Sequence, residues 1–136
     1  MLCVEFDYLD EKILGENRYG IVVGDVSGHG LPSALMMATV RAALRQRAAL
    51  PGSVGDVMTD VNRQFSQDVE ETGGFVTLFF IVIDTLQEQL TWVRAGHDPA
   101  ILYDPKTDQV EHLTGPGVAL GVDTDSRYTL QHRSNL

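Results

Sequence analysis

One cysteine, Cys3, is all that the 136 residues contain. An intrachain disulfide framework and a cysteine zinc cluster are therefore both excluded, and a reducing cytoplasm is the expected compartment. No apolar run approaches the roughly 18–20 residues that a membrane-spanning helix needs. No basic segment leading into an apolar one stands at the N-terminus, so a secretory signal is not expected. Positive charge is scarce too: ten Lys and Arg stand against nineteen Asp and Glu, a net charge of −9. Such a surface repels phosphate backbones and anionic lipid, so neither nucleic acid nor membrane is expected as a partner. Repeats, low-complexity stretches and linkers are also missing, and the length fits a single domain over residues 1–136.

The apolar content is ordinary for a chain that buries a core, and its periodicity sorts into elements. Tyr19 to Gly24 is a β-branched run that reads as a buried strand ending in a glycine-rich turn. Leu31 to Ala49 reads as a helix. Leu31, Leu35, Ala38 and Ala42 recur at helical spacing, and so do Met37, Val40, Leu44 and Ala48. Pro32 is tolerated in its first turn, and Pro51-Gly52 stops it. A second helix is expected from Val54 to about Val69, capped by Ser53 with Asp56 three residues on, and striped by Val54, Val57, Met58, Val61 and Phe65. From Phe75 the period changes. Phe75 to Ile83 is apolar on both alternating faces, as in a strand covered on both sides. Gln89 to Ala95, Ala100 to Tyr103 and Gln109 to Leu113 read as further strands, with one more over Arg127 to His132. A strand, two adjacent helices and a run of short strands is not β–α–β alternation; it predicts an α+β domain with antiparallel sheet and helices packed on it.

The segment Gly24-Asp25-Val26-Ser27-Gly28-His29-Gly30 carries the chemistry. A strand delivers Asp25 to a sharp turn from which a helix leaves, and Gly24, Gly28 and Gly30 let the backbone bend and expose its groups. A carboxylate pinned beside exposed carbonyls is a hard-oxygen site suited to magnesium or manganese. The same glycine spacing fits a dinucleotide loop. Against that stand the negative charge of Asp25 and the absence of a second parallel β–α unit. A turn with no ligand is the plainest alternative.

Taken together, these residues resemble the SpoIIE/RsbU branch of the metal-dependent (PPM-type) serine/threonine protein phosphatases. Four more blocks resemble that family in order: Phe6-Asp7-Tyr8-Leu9-Asp10, Phe75-Val76-Thr77-Leu78-Phe79, Arg94-Ala95-Gly96-His97-Asp98-Pro99-Ala100, and Gly117-Val118-Ala119-Leu120-Gly121. The resemblance implies an α-β-β-α sandwich of antiparallel sheets flanked by helices. It implies hydrolysis of phosphoserine or phosphothreonine on an anti-sigma-factor antagonist, in bacterial partner-switching signalling. It implies two Mn2+ or Mg2+ ions, with Asp25 bridging them, the Val26 carbonyl on one and Asp7 on the other. Water on the metals would then attack in line. His29 is a candidate proton donor to the leaving oxygen. His97 is expected to order its loop through hydrogen bonds, Thr77 and Asp84 to serve strand and turn, Asp98 to be a free carboxylate in a turn, able to approach the site, and His112 and His132 to lie on the surface.

The chain also departs from the family pattern. Glu5 and Phe6 stand where paired glycines precede the first aspartate, and no Thr-Asp-Gly segment follows Tyr128. The expectation is a domain incomplete at the C-terminus that holds one metal weakly or none, with sheet edges open to homodimerisation. The alternative function is a catalytically incomplete regulatory module that binds a partner through the two helices.

Overall fold

Strand alternation divides the molecule into two cores. The computed structural model describes residues 15–136 and the backbone of residues 8–9. In chain order the elements are β1 (Tyr8–Leu9), β2 (Arg18–Val26), α1 (Gly30–Ala48), α2 (Val54–Val69), β3 (Val76–Asp84), β4 (Gln89–Ala95), β5 (Ala100–Asp104), β6 (Gln109–Leu113) and β7 (Gln131–Ser134). Five strands form an antiparallel sheet in the order β1-β2-β3-β4-β7, and β5 pairs with β6 in a second, two-stranded sheet.

β3 is apolar at nearly every position because both its faces are covered. Val76, Leu78, Phe80 and Val82 turn to the helices, joined by Val22 from β2 and Val93 from β4. Phe79 turns the other way, into a smaller core with Leu90, Trp92 and Leu113, flanked by Ile81, Ile83 and Leu102. The Trp92 indole donates to the Thr114 carbonyl at 2.8 Å, which ties β4 to the chain leaving β6. This α+β arrangement of antiparallel sheets with helices on the larger sheet is the one the sequence predicts.

α2 follows its sequence closely. Val54, Val57, Met58, Val61 and Phe65 are all buried. Ser53 accepts from the Asp56 amide while the Asp56 carboxylate accepts from the Ser53 amide at 2.8 Å, a complete capping box. The Ser53 backbone and side-chain hydrogen bonds hold the Asp56 carboxyl below its ordinary value.

α1 buries only one of its sides. Of its two apolar stripes, Met37, Val40, Leu44 and Ala48 face the core. Leu31, Leu35, Ala38 and Ala42 face solvent, with Leu31 72% exposed. The strands also run longer than their apolar cores suggest. β2 extends through Asp25 and Val26 because these pair with Thr77 and Val76 of β3. The last strand lies at Gln131–Ser134, shifted from Arg127–His132, because Tyr128 belongs to the helical layer. Its amide donates to Thr59 Oγ1 and its hydroxyl to the Val118 carbonyl. Burial, aided by Asp123, pushes the Tyr128 phenol well above its ordinary value. His112 and His132 are exposed, as expected.

Candidate metal centre

Asp25 is the penultimate residue of β2, opposite Thr77. Partners across an antiparallel pair share a face, so its half-buried side chain lies on the face of the large sheet that carries Thr77 and Phe79, toward the second sheet. Ladder alternation also sets the carbonyls. The Ser27 amide donates to the Phe75 carbonyl, so the Ser27/Phe75 and Asp25/Thr77 pairs are the hydrogen-bonded ones and the Val26/Val76 pair is not. The Val26 carbonyl therefore points away from β3. On the other strand, both main-chain groups of Val76 bond to Leu120.

The turn after β2 is held at both ends. Ser27 Oγ accepts from the Phe75 amide at 3.0 Å, and the buried Ser33 hydroxyl donates to the Ser27 carbonyl at 2.9 Å. Gly28 and Gly30 have φ of 81° and 75°, the left-handed region in which a Cβ is strained. Gly24 has a different use. It lies inside the strand with no positive φ, and a Cβ there would meet Leu78 Cδ2 at 2.9 Å and the Thr77 carbonyl at 3.2 Å. It gives β3 room, whereas the sequence suggested a bend. His29 occupies the N-cap of α1 in extended conformation, exposed, and its side chain makes no capping bond.

The loop after β4 reaches the same end of the sheet. His97 Nδ1 lies 3.0 Å from Thr77 Oγ1, and Thr77 Oγ1 lies 3.4 Å from the Asp25 carbonyl. Arg94 Nε donates to the His97 carbonyl, and Arg94 Nη1 donates to the Gly115 carbonyl at 3.0 Å. His97 thus orders its loop as the sequence suggests, and Thr77 does more than pair in a strand. Asp84 accepts from the amides of Leu86 and Gln87, the turn role expected of it. Asp98 is exposed and makes no hydrogen bond to Asp25 among the described residues.

Sequence reasoning passed over Asn62. It is fully buried on α2. Its amide nitrogen donates to the Asp123 carbonyl at 2.8 Å, and its oxygen accepts from the Gly121 amide at 3.0 Å and the Ser66 hydroxyl at 3.3 Å. A polar residue four positions after Met58 and three before Phe65, on an otherwise apolar stripe, was the available signal.

Asp25 and Val26 present only oxygen donors, one anionic and one neutral, the chemistry that a small divalent cation takes. Asp7 lies outside the described residues, and among the described residues no three His, Cys, Asp or Glu side chains converge. A cavity of about 450 Å³ is lined by Arg18, Ala48, Leu50, Pro51 and Val57. Arg18 begins β2, seven residues before Asp25 and so roughly 24 Å away along the strand. That cavity is distinct from the Gly24–Gly30 turn.

A family model for stage II sporulation protein E (SpoIIE) matches residues 15–134. The chain belongs to the SpoIIE family. Two curated relatives come from Bacillus subtilis (strain 168). Phosphoserine phosphatase RsbP is 30% identical over 116 residues, which cover 82% of this chain and 29% of RsbP. Phosphoserine phosphatase RsbU is 30% identical over 108 residues, which cover 79% of this chain and 32% of RsbU. This SpoIIE-family chain therefore spans about three-tenths of the length of either relative. Solved structures agree in fold. The RsbU and RsbW domains of Rv1364c from Mycobacterium tuberculosis superpose with a TM-score of 0.80 at 22% identity, covering 98% of this chain and 36% of that one. The PP2C phosphatase domain of SpoIIE from Bacillus subtilis gives 0.81 at 15% identity, covering 100% and 39%.

Proposed function

We propose that this chain carries the metal-binding part of a serine/threonine phosphoprotein phosphatase domain, acting in the cytoplasm on a phosphorylated anti-sigma-factor antagonist. The observation that carries the reading is the position of Asp25. An acidic side chain stands one residue from the end of β2 on the inter-sheet face, ahead of a glycine turn anchored by Ser27 and Ser33, in a chain of the SpoIIE family. The Asp25 carboxylate, the Val26 carbonyl and Asp7 would hold the ions. RsbX, a fold relative at 16% identity and a TM-score of 0.73, was crystallised with magnesium, and Mn2+ or Mg2+ suits the oxygen donors here. The chemistry such ions supply is water made acidic enough to ionise near neutral pH, and neutralisation of phosphate charge.

This chain's own residues supply position. β2 and β3 fix Asp25, the Ser27 and Ser33 bonds fix the turn, and His29 stands exposed beside it, able to give a proton to the departing serine oxygen. The second reading, a module that binds the phosphoprotein without turning it over, is favoured by the shortage of converging ligands among the described residues and by the exposed Leu31 and Leu35 beside the turn.

Phosphate release from a serine-phosphorylated antagonist in Mn2+ separates the two. The phosphatase reading predicts metal-dependent release that falls at least about 10²-fold in Asp25→Ala, the scale on which loss of one charge-stabilising group acts. Tight binding of the phosphoprotein without release, unaltered by Asp25→Ala, would replace it with the binding module.

A further inference from the structure

Thr77 has a single hydroxyl proton and two neighbours that want it. Its Oγ1 lies 3.0 Å from His97 Nδ1 and 3.4 Å from the Asp25 carbonyl. A carbonyl can only accept. If the hydroxyl donates to Nδ1, the Asp25 carbonyl loses that contact. If Nδ1 carries the ring proton and donates to Oγ1, the hydroxyl is free to donate onward to the carbonyl, and both contacts are made at once. The imidazole tautomer is set by the bond that one ring nitrogen makes, so this arrangement selects Nδ1–H and leaves Nε2 with an open lone pair. No hydrogen bond to Nε2 occurs among the described residues. The backbone that carries the ring is fixed as well, because Arg94 holds the His97 carbonyl and, through Gly115, the chain after β6.

We infer that His97 is a positioning residue, held as the Nδ1–H tautomer, which braces the Asp25 backbone ahead of the turn through Thr77 and leaves Nε2 as a hydrogen-bond acceptor. Groups one bond removed from a metal ligand commonly change metal affinity by about 10- to 100-fold when removed. The consequence for metal rests on the reading of Asp25 as a ligand; the tautomer and the brace do not.

Long-range proton–nitrogen correlation spectra of the metal-free protein at pH 8, above the range in which imidazoles usually titrate, read the tautomer directly. The expected result is Nδ1–H for His97, retained in Thr77→Ser and replaced by a mixture richer in Nε2–H in Thr77→Val. Amide exchange at Ser27 should accelerate several-fold in Thr77→Val and in His97→Ala, but not in His97→Asn, whose amide nitrogen can stand where Nδ1 stood. An Nε2–H tautomer in the wild-type protein overturns the inference without any variant having to fold. So does an unchanged tautomer in Thr77→Val, or unchanged Ser27 exchange in His97→Ala. Mn2+ affinity is expected to fall about 10- to 100-fold in His97→Ala. A wild-type protein that takes up no Mn2+ would instead sink the metal assignment and leave the brace standing on its tautomer and exchange results.

Discussion

Phe80→Ala is expected to lower the unfolding free energy by about 3–5 kcal/mol, the range for truncating a buried aromatic. Phe80 sits at the centre of β3, opposite Val22 on β2 and Val93 on β4. Among the described residues it is the largest of the fully buried side chains, and it faces the core shared with α1 and α2. Strands fixed on both sides cannot close over the gap, so the cavity cost adds to the lost burial. Denaturant titration should show the midpoint falling with no change in slope. A loss under about 1.5 kcal/mol would mean that the helices settle onto the sheet and that the interface is looser than the packing indicates.

The second large effect is expected at Asn62. Alanine there removes the partner of the Gly121 amide, the Asp123 carbonyl and the Ser66 hydroxyl together. Buried polar groups left unpaired cost about 1–3 kcal/mol each. Some will find water, which places the net destabilisation at about 2–4 kcal/mol. The loss should also be local. Leu120, next to Gly121, exchanges both main-chain hydrogen bonds with Val76, so amide exchange at Gly121 and Leu120 should quicken before the rest of the sheet loosens. If stability drops while these two amides keep their protection, Asn62 acts by filling space and not by anchoring the loop.

How far the sequence reaches differs by element. α2 was legible to the residue: its apolar stripe is single, and the Ser53/Asp56 pair marks its start. β3 and β4 were legible because nine and seven residues of β-rich composition leave little choice of type. α1 was legible as a helix but not as to its face. It carries apolar residues on both sides, and only the placement of the sheet decides that Val40 and Leu44 are inside while Leu31 and Leu35 are out. β7 was misplaced because Tyr128 looks like a strand residue, and the Thr59 side chain that anchors its amide lies 69 residues away in sequence.

The candidate site divides in the same way. Its turn is local and could be read in seven residues. The Thr77–His97 contact joins residues twenty apart, and the network around Asn62 joins α2 to a loop about sixty residues on. No local pattern encodes such partners. The reason for Gly24 was also hidden, since crowding by Leu78 exists only once β2 and β3 have paired.

The central claim is that the Gly24–Gly30 turn binds a divalent cation through Asp25. Calorimetric titration of Mn2+ into the protein and into Asp25→Ala, near neutral pH, tests it most directly. Saturable heat with the wild-type protein that vanishes in the variant is the predicted result. Equal binding by both, or none by the wild-type protein, would contradict it.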